Sequence, residues 1–213
     1  MKIRDVMNWN VVTVTSDTPI MEARKIMDAH NIRRLPVVDK GKLVGIVSKE
    51  RIARSGPSPA TSLSVWEINY LLAKMTVKEV MKKDVTTVNP DMSVEAAIAL
   101  AQSHGVGALP VVEDHKLIGI ATTNDFFYKI LNPMLGIGEP GIRIIISGGA
   151  EAKRIQEIME AVRKFGAKMA SFHTMPPIEG KQQDLCIHVD KEDVKQLVKD
   201  IASKGYSAEI VER

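Results

Sequence analysis

Aromatic side chains are scarce in this chain, 4% of 213 residues, so a platform for stacking successive bases is not written into it. Cysteine is scarcer still. Cys186 stands alone, which excludes an intrachain disulfide and a CxxC metal pair and suits a cytosolic protein. An excess of one charge sign is also missing: 29 Lys and Arg face 26 Asp and Glu, and a net charge of +3 is too mild to argue for nucleic acid or an anionic membrane. No apolar run approaches the ~20 residues of a membrane-spanning helix. The start, MKIRDVMNWN, lacks the apolar core of a secretory signal. Catalytic signatures are absent as well: there is no P-loop and no nucleophile motif. Gly136-Ile-Gly-Glu-Pro-Gly141 spells G-x-G-x-x-G, but it is broken by Pro140 and leads into a strand, so it reads as a linker. The expectation is a protein that is not an enzyme and holds no metal. His30 and His104 at matched helix ends, and His173 and His188 on the last third's strands, read as structural, and Cys186 as an inert buried thiol.

What the chain does have is a repetition. VMNWNVVTV around residue 7 returns as VMKKDVTTV around residue 81, and RRLPVVDKGKLVGIVS (33–48) returns as GALPVVEDHKLIGIAT (107–122). The offset is 74 residues throughout with no gap, the mark of a tandem duplication. Two copies of a unit with one apolar face tend to pack face to face, and the cleft between them is a natural ligand site.

Each repeat reads strand, helix, strand, strand, short helix. In the first, Val11–Val14 is a β-rich run, and Pro19 stands in the first turn of a helix carrying Ile20, Ala23, Met27 and His30 at helical spacing. Leu35–Val38 and Leu43–Ser48 are strands joined by the turn Asp39-Lys-Gly-Lys42, and a short helix follows near Lys49–Ala53. In the second repeat Val94, Ala97, Ile98 and Ala101 mark the helix, and the closing helix falls near Asn124–Leu131. SGPSPATS (55–62) is a loop, and Leu63–Lys74 is a linker helix with Trp66, Tyr70 and Leu71 on its apolar side. NPMLGIGEPG (132–141) is a second linker and a domain boundary. Beyond it the order is βαββαβ, the ferredoxin-like arrangement, with MPPIEGKQQ as its turn-rich segment.

With these residues in view, LPVVD-x-x-K-L-V-G-I-V-S between two helices resembles the cystathionine-β-synthase (CBS) domain, and two copies in register resemble a Bateman module over roughly residues 1–131. The last third resembles an ACT domain by topology and length, and the whole is similar to the AcuB proteins of acetoin utilisation. The fold class implied is α/β (α+β): a CBS pair followed by a ferredoxin-like ACT-type domain. Its bounds are 1–60 and 77–131 for the repeats, 61–76 for the linker helix, 132–141 for the second linker and 142–213 for the ACT-like domain. The resemblance implies a regulatory module for adenine nucleotides, AMP, ADP or ATP, or related adenosine ligands. It also implies homodimers, since Bateman modules pair into discs and ACT domains pair edge to edge.

In that family, Gly119-Ile-Ala-Thr122-Thr-Asn-Asp125 is the ribose signature. A carboxylate can accept hydrogen bonds from both vicinal ribose hydroxyls, and a hydroxyl at a helix start can serve ribose or phosphate. The competing reading makes Asp125 a helix-start carboxylate that satisfies backbone N–H groups. Repeat one keeps the hydroxyl as Ser48 but has Arg51 where the acid should be, and arginine cannot accept from a ribose. Two unlike half-sites suggest one adenosine per module. Arg33 and Arg34 stand where repeat two has Gly107 and Ala108; they either reach ligand phosphates or pair on the surface with Asp28 or Glu22. By position in the family, Val12 and Ile32 would flank the adenine. Ser147-Gly148-Gly149 is either a tight βα turn or the loop where ACT domains contact amino acids or other small ligands. The rival to a nucleotide sensor is a structural or interaction subunit whose CBS pair mainly dimerises without ligand.

Overall fold

A computed structural model of the chain describes residues 1–55, 64–176 and 182–211. Most of the SGPSPATS loop and of the MPPIEGKQQ segment lies outside the described residues. The chain forms two compact units, Met1–Phe126 and Phe127–Arg213. No helix among the described residues is long and apolar enough to cross a membrane.

The first unit opens with α1 (Ile3–Val6) and α2 (Ile20–Ala29), followed by the hairpin β1 (Arg34–Asp39) and β2 (Lys42–Ser48) and by α3 (Lys49–Arg54). α4 (Val65–Lys74) leads into the second copy: α5 (Val77–Val80), α6 (Val94–Ser103), β3 (Ala108–Glu113), β4 (Lys116–Thr122) and α7 (Thr123–Phe126). Both hairpins close on two-residue loops and carry a bulge at the same step, Val37/Val38 and Val111/Val112. Pro19 takes the N-cap of α2, one position outside the helical turn expected for it, and Ile20, Ala23 and Met27 turn inward as their spacing requires. Ser93 caps α6 by accepting the Ala96 N–H.

Two expectations need correction. The run Val11–Val14 forms no strand; its ladder is reduced to one parallel bridge, Val14 to Val37, matched by Val88 to Val111. The apolar side of α4 is not buried: Trp66 is 85% exposed, and Tyr70 and Leu71 are exposed too. α4 is instead started by a capping box in which the Ser64 hydroxyl and the Glu67 carboxylate satisfy each other's backbone.

The packing of the copies is reciprocal. The Ile3 N–H donates to the Met92 carbonyl and the Val77 N–H to the Thr18 carbonyl, so the opening helix of each repeat lies on the other repeat. Val77 and Val80 belong to the core of Ile20, Ala23, Met27, Leu35, Val37 and Val47. Bridges Asn8–Ile120 and Lys82–Ile46 repeat the exchange. At each crossing a methionine fills a glycine hollow: a Cβ on Gly119 would stand 2.5 Å from Met7 Sδ, and one on Gly45 2.5 Å from Met81 Sδ.

The second unit begins with a π-helical turn (Phe127–Leu131) and α8 (Asn132–Leu135). Then come β5 (Ile142–Ile146), α9 (Ala152–Phe165), β6 (Met169–Thr174), β7 (Leu185–Val189), α10 (Lys195–Ser203) and β8 (Ala208–Val211). The sheet is antiparallel in the order β6-β7-β5-β8. α9 and α10 cover one face, where Ile144, Ile146, Leu185, Ile187, Val189, Ile158, Leu197 and Ile201 form the core. Cys186 is buried in β7.

Candidate functional site

The reciprocal packing brings the end of repeat one's opening segment against β4 of repeat two. Asn8 and Ile120 exchange both backbone hydrogen bonds, 2.9 and 3.0 Å, and both line a cleft of about 790 Å³. That volume lies in the usual range of a small-molecule pocket, roughly 300–1,000 Å³. Val12 and Ile32, both half-buried, supply apolar wall. Arg33 and Arg34 stand at the start of β1 and are exposed on the same wall, and Thr122 and Asp125 face in from the end of β4 and the start of α7. Six of the seven residues expected at a nucleotide site therefore share one cleft, and Ser48 is not among them.

Thr122 and Asp125 are locked to each other. Asp125 Oδ2 accepts the Thr122 N–H at 2.9 Å and the Thr122 hydroxyl at 2.6 Å. This is the helix-start role of the competing reading, and a carboxylate with about four lone-pair sites can hold it and a sugar hydroxyl together. The basic wall is uncommitted. Among the described residues neither Arg33 nor Arg34 makes a side-chain hydrogen bond or ion pair. Asp28, one of the two acids expected to neutralise them, is taken by Lys49 at 2.6 Å, and that hydrogen bond holds its carboxyl below the ordinary range. Gly107 is what lets Arg34 lie across the cleft: a Cβ there would stand 3.1 Å from Arg34 Nη2.

The cleft also contains residues that sequence reasoning passed over: Asn8, Asn10, His30, Asn31 and Asn124. His30 read as structural, but it caps α2 and borders the opening. The usable signal was the mismatch at the 74-residue offset, since Asn8, Asn10 and Asn31 are answered by Lys82, Asp84 and Gly105. Among the described residues no group of three or more His, Cys, Asp or Glu could hold a metal ion.

The CBS domain family matches residues 3–57 and 77–132, just over half of the chain. The chain belongs to the CBS-domain family. It is similar to the structure of an acetoin utilization protein (AcuB) from Vibrio cholerae, with 32% identity over 62% of this chain and 91% of that one and a TM-score of 0.53. The CBS domain pair of protein MJ0100, solved in complex with 5′-methylthioadenosine and S-adenosyl-L-methionine, is 32% identical over 59% of this chain and 92% of that one, with a TM-score of 0.49. An L-aspartate semialdehyde sulfurtransferase from Methanocaldococcus jannaschii is 33% identical over 58% of this chain. The match spans only 22% of that curated relative's length.

The second half-site of the CBS pair is built differently. Ser48 Oγ caps α3 by accepting the Arg51 N–H at 3.2 Å, and Arg51 Nε donates to the Val80 carbonyl at 2.7 Å. The arginine at the acid position thus ties α3 to the end of α5. Arg51→Ala is expected to cost about 1 kcal/mol of stability while changing affinity at the other cleft less than about twofold, as thermal shift and calorimetry together would report. A large loss of affinity would place Arg51 in the site after all.

In the second unit, the loop Ser147-Gly148-Gly149 is closed by the chain itself. The Gly148 N–H donates to Asp184 Oδ1 at 2.9 Å, and its carbonyl accepts from Arg154 Nη1 at 3.0 Å. Arg154 is braced in turn by Glu151 at 3.1 Å and by the Tyr206 ring. These bonds fix the backbone of the loop between β5 and α9.

Proposed function

We propose that the chain is a non-catalytic sensor that binds one adenine nucleotide, AMP, ADP or ATP, in the cleft between its CBS repeats. One observation carries the reading. A carboxylate–hydroxyl pair suited to a ribose and two uncommitted guanidinia suited to phosphate meet in one cleft with apolar walls. Val12 and Ile32 flank the base, with the strand backbone reading its edge. Asp125 and Thr122 hold the sugar, and Arg33 and Arg34 take the phosphates. Two arginines against one aspartate favour a ligand carrying more than one negative charge, which ranks ADP and ATP above neutral adenosine derivatives. Occupancy is read out by the second unit, whose βαββαβ order and sheet order support an ACT-type domain, and the working form is a homodimer. The setting is cytoplasmic.

Calorimetry with AMP, ADP, ATP, NAD and S-adenosylmethionine tests the reading. One molecule bound per chain, with ATP or ADP preferred, is the expected result; no heat from any of them ends it. Arg33→Ala and Arg34→Ala should each weaken ATP about tenfold while leaving adenosine within about twofold, because each removes a charge-assisted contact that only phosphate can use. The same variants should flatten the salt dependence of binding. Equal losses for ATP and adenosine would remove the arginines from phosphate recognition.

A dimerising subunit without ligand is favoured by one observation, the engagement of Asp125 Oδ2 by Thr122. A stable dimer that shows no thermal shift with the adenine panel is its signature.

A further inference from the structure

α2 and α6 end in the same way. After each C-cap the chain turns through a residue at positive φ, Asn31 at 51° in repeat one and Gly105 at 60° in repeat two. The Asn31 N–H donates to the Asp28 carbonyl at 3.2 Å and the Ile32 N–H to the Met27 carbonyl at 2.9 Å. Gly105 and Val106 make the same pair of bonds, to Gln102 and Ala101, at the same two distances. This is the paired-bond helix stop that glycine serves best, because a Cβ at positive φ crowds its own backbone. Repeat two shows that the fold requires nothing more than glycine there. A Cβ on Gly105 would find nothing within 4 Å.

Repeat one nonetheless carries an amide at this position. Asn31 lines the cleft next to Ile32. It is exposed, and its side chain makes no hydrogen bond among the described residues. Asn8, by contrast, commits its side-chain oxygen to the Asn10 N–H at 3.0 Å. An asparagine amide both donates and accepts, which neither the arginines nor the aspartate of the cleft can do. Adenine offers the complement, since its N6–H donor and N7 acceptor stand side by side on one edge and pair bidentately with an asparagine amide.

We propose that Asn31 selects the base in this cleft: its side-chain oxygen accepts from N6–H of adenine and its NH2 donates to N7. The inference rests on the nucleotide reading and deepens it, from a cleft that holds sugar and phosphate to one that chooses among purines. In that reading Ile32 lies against the ring, so the residue before it in the chain stands at the ring's rim. The strand backbone keeps the other edge, where N6–H stands beside N1. Guanine and hypoxanthine carry an acceptor, O6, in place of the 6-amino group. Against them the amide oxygen would face another oxygen, and one of its two hydrogen bonds would be lost.

Calorimetry on the full chain with ATP, 7-deaza-ATP and inosine triphosphate tests this in wild type and Asn31→Gly. The variant installs the sister repeat's own residue, so the helix stop survives and the unfolding midpoint should not fall. Wild type should bind 7-deaza-ATP, which lacks the N7 acceptor, about tenfold more weakly than ATP. In Asn31→Gly ATP should lose about the same tenfold, and the two ligands should then bind within about twofold of each other. The preference for ATP over inosine triphosphate should narrow by about tenfold as well. Two results overturn the proposal while leaving the nucleotide reading intact: wild type that binds ATP and 7-deaza-ATP alike, or a ratio between them that Asn31→Gly leaves unchanged. A lowered midpoint with that unchanged ratio would make Asn31 a helix stop and nothing more. Wild type that binds none of the three ligands ends the nucleotide reading and takes the inference with it. The wild-type comparison decides even if the variant fails to fold.

Discussion

Asp125→Ala is expected to weaken ATP binding about 50-fold, measured by calorimetry. The carboxylate would accept from both ribose hydroxyls, and hydrogen bonds to a charged group are worth about 1.5–3 kcal/mol. The same change removes the acceptor for the Thr122 N–H and hydroxyl, so about 1 kcal/mol of stability goes with it. Two comparisons separate the sugar from the cap. Asp125→Asn keeps an acceptor for Thr122 but loses the charge, so stability should recover further than affinity. On the ligand side, 2′-deoxy-ATP lacks one hydroxyl; wild type should discriminate against it about tenfold, and Asp125→Ala should not discriminate at all. Equal ATP affinity in wild type and Asp125→Ala would confine the aspartate to its capping role.

Gly141→Ala is expected to cost about 3 kcal/mol or more. Gly141 sits at φ 110°, where an L side chain is strained, and its Cβ would run into the Val189 carbonyl and stand 3.0 Å from Asp190 Cα. Those atoms are backbone at the paired end of β5 and β7, so nothing can rotate aside. Gly45→Ala and Gly119→Ala are the contrast. Their Cβ atoms meet the flexible thioethers of Met81 and Met7, which can shift, and a loss nearer ~1 kcal/mol is expected. Urea denaturation followed by circular dichroism reads all three. A cost at Gly141 no larger than at Gly119 would refute the argument.

The parts visible in the sequence are those with local causes. Register at 74 residues located both hairpins, because two continuous apolar runs around a short polar turn mark a hairpin without help from the rest of the chain. The convergence of Val12, Ile32, Arg33, Arg34, Thr122 and Asp125 was legible only through the repeat and the family resemblance it supports. Single residues were ambiguous, and their meaning came from position. What stayed hidden depends on partners distant in sequence. Nothing in IRDV or VKEV says that each helix packs on the other repeat. Val11–Val14 has strand composition, but it meets its neighbour at one residue, so composition overstated it. Ser48 looked like Thr122 because both start helices; the side chain three residues on, Arg51 or Asp125, separates them. Glycine and proline marked 132–141 as irregular, which is correct, but irregular backbone can still be fastened down: Arg143 Nη2 donates to the Leu135 carbonyl at 2.6 Å.

The methionine–glycine joints at Met7–Gly119 and Met81–Gly45 occur once per half and are written in the same letters. An excised half of the first unit would keep one thioether knob and one matching hollow while missing the sibling that uses them. Two such fragments can trade arms just as the halves do inside the intact chain. The half-length polypeptide is therefore expected to be a self-associating pair, and the gene fusion that joined the halves changed how they are connected rather than what they touch.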